Sequence, residues 1–226
     1  MDKMMKWVEK RLVPPMAKIG TQRHLLAIRN GVVSSLSLVL IGTFFMVFIN
    51  LPIKAWADAL APYSATIVIP YRMTMGLMAI YATFVMGQDL AKSYNLDGVT
   101  GGILSLGAFF MLQQPINVLT PKAKPLGFVI PMANLGASGM FGGILAMIFA
   151  VEVYRFFKTH NVTIKMPEQV PPAVARSFEA LIPGAVILTF VWVIRDVLGF
   201  DVNAALLALF QPLTNILGNN LLGALL

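Results

Sequence analysis

The chain has 226 residues, of which 58% are hydrophobic and only 12% charged, and it carries a net charge of +7. A soluble domain of this size needs more charge on its surface, whereas lipid solvates an apolar exterior. The absence of cysteine excludes a disulfide, a thiolate nucleophile and a cysteine-ligated metal.

The basic residues are concentrated at the start. Lys3, Lys6, Lys10, Arg11, Lys18, Arg23 and Arg29 all precede Asn30, and the others punctuate apolar runs. That distribution is a membrane-topology signal and argues against a nucleic-acid partner. Within residues 1–29, Met4, Met5, Val8 and Leu12 fall near one helical face with Lys3, Lys6 and Lys10 off it. This predicts an amphipathic helix on the inner leaflet, ended by Pro14-Pro15. The charged stretch is too long for a cleaved signal peptide.

Uncharged runs then recur at bilayer-spanning length, roughly 20 residues each. Asn30–Ile53 predicts the first span and Met73–Gln88, behind a snorkelling Arg72, the second. Gly98–Pro121 and Pro125–Val151 predict the third and fourth. Ala180–Ile194 predicts the fifth, with its helix starting near Pro171. Val202–Leu226 is interrupted at Gln211-Pro212 and Asn219-Asn220, and reads as a short interfacial helix followed by the opening of a sixth span. The fold class is therefore all-α, a polytopic membrane protein of about five transmembrane helices. Residues 30–198 form a transmembrane body and 199–226 a connector. With the N-terminus inside, the inner segments hold the seven N-terminal basic residues plus Lys92, Arg155, Lys158, Lys165 and Arg176. The outer ones hold Lys54, Arg72, Lys122, Lys124 and Arg195. The bias predicts a cytoplasmic N-terminus.

Several residue sets invite a functional reading. Gly98 with Gly102, and Gly139 with Gly143, are four apart, which lets helix backbones approach closely, within one chain or between two. Gln113, Gln114 and Asn117, around Pro115, are candidates for sugar hydroxyls or for backbone groups freed by the proline. Asn219 and Asn220 are candidates to line a substrate cavity or to cap a helix. Glu152 with Arg155, and Arg176 with Glu179, are spaced as surface helix pairs. His24 has no carboxylate near it in sequence and reads as interfacial or capping, and His160 as solvated. No spacing suggests a metal site, a nucleophile with its base, or a cofactor.

Three segments carry a resemblance: HLLAIRNG at 24–31, NLGASGMFGGILAMIFAVEVYRFF at 134–157 and IKMPEQVPPAVARSFEALIPG at 164–184. They resemble enzyme IIC, the membrane subunit of the lactose/cellobiose/diacetylchitobiose branch of the bacterial phosphoenolpyruvate sugar phosphotransferase system (PTS). The likeness runs from about Lys6 to Leu226 and corresponds to about the first half of a typical member. It implies a permease in the cell membrane that carries a β-linked disaccharide inward. A IIB partner, charged by IIA, phosphorylates that sugar, and IIC itself carries no cofactor and no phosphointermediate. It also implies a homodimeric scaffold in this half and a mobile sugar-binding domain in the other, so no substrate-binding residue is transferred. Phe200–Leu213 becomes the connector, with Gly199, Pro212 and Gly218 as flex points, and the loop His160–Gln169 a surface for IIB. Two rival readings stand beside this one. One is a transport-inactive fragment that acts by dimerising, and the other is a channel, against which the lack of a polar stripe speaks.

Overall fold

The structure, a computed structural model, describes Trp7, Arg11 and residues 20–119, 125–167 and 169–218. The expected N-terminal amphipathic helix lies outside the described residues.

Helix α1 (Arg23–Ile49) opens with the Gln22 side chain accepting the Leu25 N–H at 3.3 Å. It closes at Asn50, whose Nδ2 donates to the Met46 carbonyl at 2.8 Å. At ~1.5 Å per residue it is about 40 Å long, enough to cross a bilayer with tilt. A broken helical run follows, α2 (Lys54–Leu60), α3 (Ser64–Ile67), α4 (Ile69–Thr74) and α5 (Met78–Ser93). Pro62 and Pro70 each remove a backbone donor, which is why the run is segmented. The second span is thus longer than the expected Met73–Gln88.

Helix α6 (Gly98–Met111) begins at Asp97, whose carboxylate accepts the Thr100 N–H at 2.8 Å. It ends well short of the expected Pro121. The chain turns instead into an antiparallel ribbon of β1 (Ile116–Leu119) and β2 (Pro125–Val129), with Asn117 opposite Phe128. The runs Gly98–Pro121 and Pro125–Val151 are therefore corrected to α6 and to α7 (Met140–Thr159), with the ribbon between them. An uncharged stretch looks alike as span or as ribbon. Here Pro115, Pro125 and Pro131 interrupt the helical hydrogen bonds.

Helix α8 (Pro172–Glu179) starts after Pro171, as expected, and leads into α9 (Leu181–Trp192) and a π-helical turn over Val193–Val197. Gly199, at φ +66°, ends it in the left-handed region. Helix α10 (Val202–Gly218) then passes Gln211-Pro212 without the expected break. Among the described residues, Arg23–Ile49, Lys54–Ser93, Ala137–Thr159 and Pro172–Val197 are long and apolar enough to cross a membrane, and Gly98–Met111 is apolar but shorter.

The body is built on α5, α6 and α7, with α1 against α5 and α9 against α6 and α7. Its buried residues are largely small: Ala79, Ala82, Ala91, Ala108, Ala146 and Ala150, with Met86, Phe109, Met147 and Tyr154 filling between them. A Cβ on Gly101 would strike Ala91 and approach the Gly87 carbonyl oxygen to 2.8 Å, and one on Gly87 would meet the Gly101 oxygen at 2.8 Å. Backbone lies on backbone at this crossing, where dispersion joins helices. Outward, α1 exposes Val33, Leu36, Leu40, Phe44 and Val47, the surface lipid solvates.

Gly101→Ala should therefore lower stability in detergent by about 1–3 kcal/mol through overpacking. Gly107→Ala, whose new methyl would meet Leu188 at 3.4 Å, should leave it within about 0.5 kcal/mol. Thermal unfolding of both variants checks this, and equal effects would refute the backbone contact.

Candidate functional site

Polar side chains gather at the two ends of the body. At the end where α6 finishes, Gln113 follows its last turn and is only 4% exposed. Its Nε2 donates to the Phe109 carbonyl at 3.3 Å, and its Oε1 accepts from Asn203 Nδ2 at 3.2 Å. Gln114 Oε1 accepts from Arg195 at 3.3 Å, and the same arginine nitrogen lies 3.2 Å from Asp201. Asp201 also caps α10 by accepting the Ala204 N–H at 2.9 Å. Asn203, itself 4% exposed, presses its Oδ1 over Gly142, where a Cβ would collide with it. Gln113 is thus held by the connector's first turn, and Gln114 is joined to it through Arg195. Asn117 does not join them, because it lies exposed on β1. Asn219 and Asn220 lie outside the described residues.

Sequence reading missed Arg195, Asp201 and Asn203 as a set. The one local signal was the Gly199–Asp201 stop-and-cap pattern. The pairing of Asn203 with Gln113 joins positions too far apart in sequence for spacing to reveal.

At the opposite end α1 begins and α5 and α7 finish. Glu152 accepts from the Tyr94 hydroxyl, from His24 Nε2 at 3.1 Å and from Arg155 at 3.2 Å. The helix pair Glu152–Arg155 forms as its spacing predicts. His24, however, does face a carboxylate, supplied by α7. Burial, with the Glu152 hydrogen bond, pushes the Tyr94 phenol above its ordinary range, against the opposing charges of Arg155 and Arg23. Asn30 donates to Asp89 at 2.8 Å and ties α1 to α5.

The expected Arg176–Glu179 pair is corrected. Arg176 pairs with Asp97 at 3.3 Å and Glu179 with Lys158 at 2.6 Å. The proline-rich segment is thereby pinned to the start of α6 and the end of α7. His160 is exposed, with its Nδ1 2.8 Å from the Phe156 carbonyl. Arg72 is exposed on α4.

The paired glycines face neighbours in their own chain. A Cβ added at Gly98 would meet Lys92, one at Gly102 would meet Phe84 at 2.8 Å, one at Gly139 the Asn134 carbonyl and one at Gly143 Thr83. The cavities described are open to the surface. One of ≈ 230 Å³ is bounded by Leu112, Phe149, Phe190 and Val202. No group of three His, Cys, Asp or Glu able to hold a metal occurs among the described residues.

The family model for phosphotransferase system EIIC matches residues 29–226. The cellobiose-specific EIIC component of Geobacillus stearothermophilus is 37% identical over 240 residues, covering 100% of this chain and 53% of that protein. The lichenan permease IIC component of Bacillus subtilis (strain 168) is 34% identical over 205 residues, covering 86% of this chain and 45% of that protein. The crystal structure of the transporter ChbC, the IIC component of the N,N'-diacetylchitobiose-specific phosphotransferase system, superposes with a TM-score of 0.84 at 35% identity. That superposition covers 96% of this chain and 54% of that one. The chain spans about half the length of the curated relatives it matches.

The charge lattice around Asp97 carries a pH signature. Burial raises the Asp97 pKa, but the Thr100 hydroxyl and N–H, then Arg176 and Lys158, outweigh it and hold the carboxyl below its ordinary range. A depressed folded pKa adds stability that is complete above the unfolded value, about 3.9, and lost as pH falls through the folded one. Stability measured between about pH 6 and 2 should fall less steeply in Asp97→Asn than in the wild type. Parallel curves would show that Asp97 contributes nothing.

Proposed function

Because the chain belongs to the phosphotransferase system EIIC family, we propose that it forms the scaffold part of a permease for β-linked disaccharides. The sugar is carried across the membrane and phosphorylated on arrival by a IIB partner, itself charged by IIA. The observation that carries this reading is the superposition on the diacetylchitobiose transporter along almost the whole of this chain.

Two features support a sugar site outside the described residues. Gln113 and Gln114 are committed to Asn203 and Arg195, which leaves few amide groups for hydroxyls. The described cavities are open, and the one beside this amide cluster is lined by apolar side chains. Residues 30–198 are then the transmembrane scaffold, and 199–226 lead into the substrate domain. The connector's first turn is pinned at Asn203, so the flexing falls beyond it, towards Pro212 and Gly218. The basic residues before Asn30 support a cytoplasmic N-terminus. That orientation turns the Asp97–Arg176 lattice towards IIB, with the loop 160–169 beside it.

Dimerisation rests on the family resemblance. In it, Gly98, Gly102, Gly139 and Gly143 fix helices within each protomer.

The test is phosphoenolpyruvate-dependent uptake of labelled chitobiose and cellobiose in a strain lacking its own permeases but keeping IIA and IIB. One arm expresses this chain alone, and the other adds the separately expressed second half of a related permease. Uptake only in the second arm is the expected result. Uptake by the chain alone would overturn the placement of the sugar site. No uptake in either arm, with both pieces verified in the membrane, would favour a transport-inactive protein that acts by dimerising.

A further inference from the structure

The cluster around Tyr94 is unbalanced in charge. Arg23, the first residue of α1, and Arg155, in the last turns of α7, both hold their guanidinium carbons close to one ring, at 5.0 and 4.2 Å from the Tyr94 centroid. Among the described residues Glu152 is the carboxylate in contact with this group, and its oxygens are already taken by Tyr94, His24 and Arg155. Among the described residues Arg23 has no ion-pair partner, and the pairing of Arg155 with Glu152 uses one of its nitrogens. Asp97 and Glu179 are engaged by Arg176 and Lys158.

Two guanidinium groups held beside one ring repel each other, and one shared carboxylate offsets only part of that repulsion. The ring fixes their positions, so the free donors are presented together instead of dispersing into solvent. A cavity of ≈ 290 Å³ lined by Glu152, Arg155, Phe156 and Thr159 opens beside Arg155. The residues carrying these groups sit at one common end of three bilayer-length helical stretches, Arg23–Ile49, Lys54–Ser93 and Ala137–Thr159. A membrane places its phosphate groups at that depth.

We infer that Arg23 and Arg155, set by Tyr94 and Glu152, form a binding site for a phosphate group, supplied by the headgroup of an anionic lipid. The guanidinium forks suit phosphate oxygens. The inference rests on the membrane helices and not on the transport reading, so it stands or falls separately from the uptake experiment.

The test is native mass spectrometry of the full chain in detergent with equimolar phosphatidylglycerol and phosphatidylcholine. The wild type should retain phosphatidylglycerol in preference. Arg23→Gln should lower that preference about fivefold and Arg23→Gln with Arg155→Gln about thirtyfold. Arg72→Gln, on exposed α4, should leave it unchanged. Arg23→Lys with Arg155→Lys keeps the charge but loses the fork, and should fall between wild type and the glutamine pair. A further arm adds inorganic phosphate. Displacement of the lipid at millimolar phosphate supports the site and reassigns its source to free phosphate, while indifference to it supports the lipid. Equal retention by wild type and the double glutamine variant overturns the inference. If that variant misfolds, absence of any headgroup preference in the wild type overturns it instead.

Discussion

The contact on which the rest depends is the crossing of α5 and α6 at Gly87 and Gly101. Lipid tails are as apolar as leucine, so burying large side chains gives these helices little reason to associate. What remains is dispersion between surfaces that fit closely, and it is largest where no side chain intervenes. At Gly102 and Gly143 the side chains of Phe84 and Thr83 occupy the space a Cβ would take, and alanines line the same interfaces. With α5, α6 and α7 drawn together, their ends come close enough for polar groups to meet.

Those polar groups divide the labour. At one end, charged side chains join α1, α5 and α7 around Glu152 and tie the proline-rich segment down through Asp97 and Lys158. At the other, amides and one arginine fasten the start of α10 to the end of α6. Individually such exposed pairs contribute little. Their value is positional, since each fixes where a segment leaves the bundle.

Much of this architecture could be read from residues. The long uncharged runs gave α1, α7 and α9, because bilayer thickness sets a length that few other constraints demand. The small-residue spacing at Gly98, Gly102, Gly139 and Gly143 pointed to close helix contacts, which within one chain is where these glycines lie. Hydropathy could not separate a helix from the ribbon at 116–129, because both satisfy their backbone and both tolerate uncharged side chains. Nor could spacing show that Arg176 faces Asp97 in place of Glu179. An i,i+3 pair is visible in one dimension, whereas a contact between the start of α6 and α8 exists only after the bundle has closed. The candidate amides lie at a proline-disturbed helix end, but the partner that claims Gln113 arrives ninety residues later.

The shortness of α6 has a consequence for biosynthesis. Fourteen residues extend about 21 Å, less than the hydrocarbon core of a bilayer, so this helix is a poor insertion signal by itself. Its neighbours α5 and α7 carry the glycine surfaces that receive it. The insertion machinery should therefore hold α6 back until α7 has emerged from the ribosome, and release the three into lipid as one unit.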